Sequence, residues 1–299
     1  MAFLLKFQEI IDASELSDIS KKTYKDRLKR LTTLMNHDVD WIILHCRETY
    51  EKLKQYEIQT QKGYINSILT LFKYTKGLKT KRLNTYNCWY SIFQEVDAKA
   101  EDKYNNLQAS DRQRAAYVAW HDIITARDKL DKSSQDYLLL CLYTMIPPSR
   151  ADMNMLKIYY KDPNNIEVNK YPNYIVIYND KIKLIYNEFK SKSRKLQKYE
   201  KILPQNLDHV IRQSLHNKPR DFLIVSPRTN HGYENASTYS KYFSIILERI
   251  FKKKLSINTL RHSYVNSLDM NKLTPLEKAN IARDLMHSPM TMDKYRLAL

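Results

Sequence analysis

The chain has 299 residues, 43% of them hydrophobic, with 50 Lys and Arg against 33 Asp and Glu for a net charge of +17. This length and hydrophobic content exclude a disordered chain and predict two folded domains, each with its own core, while cations spread along the whole chain point to a polyanionic partner. Gly63, Gly77 and Gly232 are the only glycines, which excludes a Walker loop and a dinucleotide fingerprint, and no apolar run reaches the length of a membrane span.

The 23 tyrosines among those cations suit packing against sugar, base and phosphate, so nucleic acid is the expected polyanion. The opening "MAFLLKFQEIIDAS" lacks the long uninterrupted apolar core of a secretory signal, and an intracellular protein is predicted. Cys46, Cys88 and Cys141 are odd in number, far apart and without metal-ligand spacing. They read as reduced thiols in cores, with neither a disulfide nor a zinc framework.

In chain order, the first third reads as helices. In "SKKTYKDRLKRLTTLM", Ser20 is a candidate cap for a helix whose Tyr24, Leu28, Leu31 and Met35 form one apolar stripe, with Lys21, Lys25, Lys29 and Arg30 away from it. In "GYINSILTLFKYT", Ile65, Ile68, Leu69 and Phe72 repeat the pattern. These are core faces, and the cations beside them are candidate phosphate contacts. The polar stretch "AEDKYNNLQASDRQR", residues 100–114, has no apolar periodicity and predicts the interdomain linker.

Helical signal resumes in "SSQDYLLLCLYTM", apolar nearly all round and so a buried helix, which Pro147 and Pro148 stop just before Arg150. "YIVIYNDKIKLIY" is the one strong β signal, a hairpin turning at Asn179 and Asp180, with a third strand in "KYEKIL". Between them "FKSKSRKLQK" carries five cations from Lys190 to Lys198, either a solvated tip or an arm that enters a DNA groove. Helix returns in "STYSKYFSIILERIF" and "LRHSYVNSL", and Thr274, Pro275 and Glu277 predict a capped helix start running toward Met286. His287 falls at its end. Pro289 then breaks the helical path, so the chain turns and Tyr295 is free to come back to His287; an unbroken helix would hold them about 12 Å apart.

Four pieces thus stand in order: "PPSRAD" with Arg150, the basic hairpin with Lys190 and Lys192, "NTLRHS" with Arg261, and "LMHSPMTMDKY" with His287 and Tyr295. The order resembles the tyrosine recombinase, or phage integrase, superfamily, whose pattern is an arginine after a buried helix, a hairpin lysine, a His-x-x-Arg helix, a His-Ser turn and a tyrosine nucleophile. "PPSRAD" resembles the version found in eukaryotic mobile elements and large DNA viruses. The resemblance is detailed over residues 106–299; the first third is similar to the family's core-binding domain only in size, charge and position.

The resemblance implies a mainly α fold with a small antiparallel β-sheet, arranged as a two-domain DNA clamp: a helical core-binding domain over residues 1–105 and a catalytic domain over 106–299. It implies a site-specific recombinase or integrase that cleaves and rejoins double-stranded DNA through a 3′-phosphotyrosine, needs no cofactor, and works on DNA as a homo-oligomer, dimer to tetramer. Fixed guanidinium forks at Arg150 and Arg261 would hold the phosphate charge. Tyr295 would be the nucleophile, its phenolate favoured by nearby cations. Lys190, or Lys192 with the same local pattern, would protonate the leaving 5′ oxygen. His287 would hydrogen-bond the scissile phosphate, and Asp152 would either buttress an arginine or a nearby backbone group or serve as a helix-start carboxylate. Type IB topoisomerase chemistry and a catalytically degenerate DNA-binding relative are the alternatives.

Three features depart from the family pattern. Asn258 stands where the first histidine of His-x-x-Arg is usual, and an amide takes no proton at neutral pH. The spacing from His287 to Tyr295 is eight, one shorter than the commonest in the family, which calls for a tighter turn. Four residues follow Tyr295, so assembly through a long C-terminal tail is expected to be absent or replaced by other surfaces.

Overall fold

The computed structural model describes residues 6–189 and 198–298. Lys190 and Lys192 therefore lie outside the described residues. The chain divides into two compact units, Met1–Asn106 and Leu107–Leu299, and is mainly helical with one small sheet. Among the described residues no helix is long and apolar enough to cross a membrane.

Among the described residues the elements of the first unit are helices: α1 (Lys6–Asp12), α2 (Asp18–Met35), α3 (Val39–Leu44), α4 (Cys46–Leu53), α5 (Ile58–Tyr74), α6 (Leu78–Lys81) and α7 (Leu83–Asn105). The apolar stripes meet as predicted from their spacing, with Leu28, Leu31, Ile65, Ile68 and Phe72 in one core around Trp89. The Trp89 ring is wholly buried and its N–H donates to the Ile43 carbonyl at 3.0 Å, so this large side chain leaves no polar atom unpaired. The cap of α2 is Ser17, not Ser20: the Ser17 hydroxyl accepts from the Ser20 N–H, and Asp18 sits favourably in the first turn. Gly63 admits the Arg27 side chain against the α5 backbone, where an added Cβ would lie 2.7 Å from the guanidinium carbon.

The cysteines overturn the expectation of reduced thiols. Cys46 on α4 and Cys88 on α7 are joined as a disulfide across a Cα separation of 6.5 Å, and Cys141 alone remains a free, buried thiol. Distance along the chain hid a pairing that the packing of α4 on α7 creates. The polar stretch expected as a linker is helical over much of its length, because α7 runs on to Asn105 and a new helix is capped by Ser110.

The second unit begins with α8 (Asp111–Ala116), α9 (Trp120–Asp128) and α10 (Gln135–Thr144). Helix α10 is buried from Tyr137 to Tyr143, as its all-round apolar sequence requires. A 3-10 turn (Ala151–Met153), β1 (Lys157–Tyr159), α11 (Asn165–Lys170), β2 (Asn173–Ile177), β3 (Ile182–Tyr186) and β4 (Tyr199–Ile202) follow. The sheet order is β1-β2-β3-β4. The hairpin turns at Asn179 and Asp180, closed by a bond from the Tyr178 N–H to the Lys181 carbonyl. Strands β2, β3 and β4 are antiparallel, while β1 adds a parallel edge through the α11 crossover, making the sheet mixed. Alternate residues serve different faces: Ile175, Leu184 and Tyr186 enter the main core, and Tyr174, Val176 and Ile185 a smaller cluster.

The chain closes with α12 (Gln205–Asn217), α13 (Ala236–Phe251), α14 (Ile257–Ser267), α15 (Pro275–Asp284) and α16 (Pro289–Asp293). Capping boxes at Ser256 and Thr274 start α14 and α15. Val265, Ala282, Leu285 and Met292 make a small core among α14, α15 and α16, against which the Tyr295 ring packs.

Candidate active site

Arg150 is placed by the end of a buried helix. After α10, Pro147 and Pro148 prevent helical continuation, and Arg150 immediately precedes the following 3-10 turn. The Tyr143 hydroxyl, inside the core, donates to the Arg150 carbonyl at 2.8 Å and fixes the backbone there. Its guanidinium Nη2 then lies 3.3 Å from His287 Nδ1 and 3.4 Å from Nε2.

Arg261 is set by the Ser256 cap, which fixes the start of α14 and so which face each residue takes. The side chain is fully buried. Nη1 donates to the Pro148 carbonyl and Nη2 to the Leu285 carbonyl at 2.9 Å, so one guanidinium ties the approach to Arg150 to the end of α15. Its Nε is buried with no partner in hydrogen-bond range among the described residues. Burial pulls the Arg261 pKa down, the Tyr295 phenol opposing it, yet a guanidinium stays charged at neutral pH.

His287 follows a sharp helix stop. Met286 takes a left-handed conformation at φ 57°, which costs about 1 kcal/mol for a residue with a Cβ, and its side chain is buried. The His287 N–H returns to the Ala282 carbonyl at 2.8 Å. Ser288 caps the next helix and Pro289 occupies its first turn. The single turn of α16 carries the chain back, so that the Tyr295 hydroxyl stands 3.2 Å from His287 Nε2. Burial first, then the charges of Arg261 and Arg150, push the His287 pKa down to about 3. The imidazole is therefore neutral near pH 7.

Tyr295 is held from several sides. The Arg261 guanidinium carbon lies 4.9 Å from its ring centroid, its ring lies 5.1 Å from that of His287, and His262 Nδ1 donates to its carbonyl at 2.7 Å. Beyond it, Asn266 bonds both main-chain groups of Leu297, at 2.9 and 3.0 Å, and the Ala298 N–H donates to the Leu107 carbonyl at 2.7 Å. A cleft of about 640 Å³ opens beside these groups, lined by Arg150, Asp152, Lys170, Glu188, Asn258 and Tyr295 among others.

The structure thus brings Arg150, Arg261, His287 and Tyr295 together. Asn258 is exposed at the cleft. Asp152 sits in the first turn of the 3-10 segment. Sequence reasoning passed over His262 and Asn266, although they lie four apart on the helix that carries Arg261, a spacing that puts them on one face. An accessible guanidinium at Arg150, a second buried cation at Arg261, a neutral imidazole and a phenol are chemically suited to attract an oxyanion and expose its central atom to an oxygen nucleophile.

No protein-family model matches the chain, and no curated protein does. Among solved structures, a lambda integrase (75–356) dimer bound to a COC′ core site is similar, with a TM-score of 0.58 and 10% identity over 99% of this chain and 94% of that one. The crystal structure of XerA recombinase matches with a TM-score of 0.43 and 16% identity, over 99% of this chain and 93% of that one. The likeness to lambda integrase is one of fold, and the chain has the fold of the tyrosine recombinases.

Proposed function

We propose that this chain is a site-specific DNA recombinase or integrase that breaks and rejoins strands through a 3′-phosphotyrosyl intermediate at Tyr295. The observation that carries the reading is the 3.2 Å contact between the Tyr295 hydroxyl and His287 Nε2, on an imidazole that also meets Arg150 and with Arg261 beside the phenol. Separate segments of the chain converge to build it, which a chance surface tyrosine would not require.

In this reading the scissile phosphate enters the cleft with its non-bridging oxygens against Arg150, while Arg261, buried behind the phenol and bonded to the Pro148 and Leu285 carbonyls, acts on it through its charge. Attack by the phenol oxygen builds negative charge on those oxygens, and fixed guanidiniums stabilise that charge without reorganising. The 5′ oxygen leaves with a proton from a lysine of the basic segment, Lys190 or Lys192, assigned by resemblance alone. The phosphoester bond is exchanged and not hydrolysed, so a 5′ hydroxyl of another strand reverses the step.

Residues 1–105 serve as a helical core-binding domain and residues 106–299 as the catalytic domain. Double-stranded DNA is the partner, which the net charge of +17 favours, and copies of the chain assemble on it as a homo-oligomer inside the cell. Origin in a mobile element or a large DNA virus rests on the "PPSRAD" resemblance. The test is a nicked suicide substrate built on DNA chosen by binding-site selection. A covalent adduct is expected from the native chain and none from Tyr295→Phe; an equal adduct from both would overturn the reading. Exchange of strands between two duplexes separates recombinase from type IB topoisomerase.

A further inference from the structure

Among the described residues, the Tyr295 hydroxyl has one proton acceptor within hydrogen-bond reach, His287 Nε2 at 3.2 Å. The carboxylates Asp152 and Glu188 line the same cleft, but among the described residues His287 Nε2 is the acceptor that meets the hydroxyl. Arg261 and Arg150 are cations that stay protonated, and Asn258 at the cleft is an amide. His262 donates from Nδ1 to the Tyr295 carbonyl, and its hydrogen bond is to the main chain of Tyr295 and not to the hydroxyl. Arg150 Nη2 lies almost equally far from both nitrogens of His287 and so does not set the tautomer; with the proton on Nδ1, Nε2 is the acceptor for the phenol.

Resting on the recombinase reading above, we propose that His287 is the base that removes the Tyr295 proton during strand cleavage and returns it during rejoining. The phenol O–H bond breaks as an Nε2–H bond forms. The phenolate oxygen bonds to phosphorus, the P–O5′ bond breaks, and the 5′ oxygen departs with a proton from the general acid of that reading. Rejoining runs the same transfers backward. His287 thereby takes the part that the amide of Asn258 is unable to play.

The same arrangement makes the base depend on its substrate. Without DNA, burial and the two guanidiniums disfavour an imidazolium. A phosphodiester in the cleft against Arg150 offsets the positive charge around the imidazole, and the dianionic transition state offsets it further. The imidazole gains proton affinity when the scissile phosphate arrives.

The experiment follows adduct formation against pH on the suicide substrate for the native chain, His287→Gln and His287→Gly, each also with 3,5-difluorotyrosine at position 295. Glutamine keeps a hydrogen-bond donor for phosphate but accepts no proton, so His287→Gln should slow the reaction and make its rate rise about tenfold per pH unit near neutrality, more steeply than the native chain. The more acidic fluorinated phenol should restore the variants more than it speeds the native chain, and added imidazole should restore His287→Gly. Variants slowed equally at every pH, with no recovery from fluorination or imidazole, would overturn the assignment while leaving the recombinase reading intact. No adduct from the native chain would instead defeat the recombinase reading, and the base assignment with it.

Discussion

Arg261 holds its guanidinium carbon 4.9 Å from the centre of the Tyr295 ring while its Nη atoms bind the carbonyls of Pro148 and Leu285. One side chain therefore serves both the framework and the candidate nucleophile. Arg150, only half-buried, reaches the same site through His287.

The two arginines should respond differently to removal. Arg261→Ala strands two buried carbonyls and should cost roughly 3 kcal/mol of stability in urea unfolding. Arg150→Ala should cost under about 1 kcal/mol yet lower adduct formation by about a hundredfold or more. Full activity in Arg150→Ala would remove it from the site.

The depressed pKa of His287 predicts a pH dependence of stability. In the unfolded chain a histidine protonates near 6.5, in the fold at about 3, so between these values the unfolded state binds more protons. Stability from this group falls as pH drops from about 6.5 toward 3 and is flat above that window. His262, held down chiefly by burial, acts in the same direction. Unfolding free energies of His287→Gln should fall less steeply over this range than those of the native chain; identical slopes would contradict the neutral, buried imidazole.

Asn266 pins the segment just beyond Tyr295 through its two bonds to Leu297, worth about 1 kcal/mol each. Asn266→Ala should speed amide exchange near Leu297 and slow adduct formation by up to about tenfold, with DNA affinity unchanged. Native exchange and native rate together would show that Tyr295 needs no such latch.

Asp284 links the sheet to the helix before His287, accepting from the Tyr199 hydroxyl at 3.1 Å and pairing with Lys201. Both charged side chains are mostly buried. Burial first, then the Asp284 charge, raises the Tyr199 pKa far above its ordinary value. Asp284→Asn should lower stability by about 1–2 kcal/mol, and its effect should be less than additive with Lys201→Met. Strict additivity would mean that the two residues do not interact.

Much of this was legible in the sequence because local chemistry fixes it. The paired prolines after an apolar helix announce the position of Arg150, the Thr274 capping box starts α15, and Pro289 marks the turn that returns Tyr295. What escaped depends on contacts distant in sequence. The Cys46–Cys88 pairing needs α4 on α7, and β1 is three residues long, recognisable only once Tyr174 and its neighbours lie beside it. The Leu297 latch requires knowing which face of α14 the returning chain meets. Met286 gives no signal of its left-handed backbone, since sequence reasoning looks for glycine there.

The most direct test of the account is to digest the protein–DNA adduct and locate the nucleotide by mass spectrometry. The account predicts a 3′-phosphoryl group on the Tyr295 oxygen, in a peptide absent from digests of Tyr295→Phe. A nucleotide carried by another residue, with Tyr295 unmodified, would contradict it.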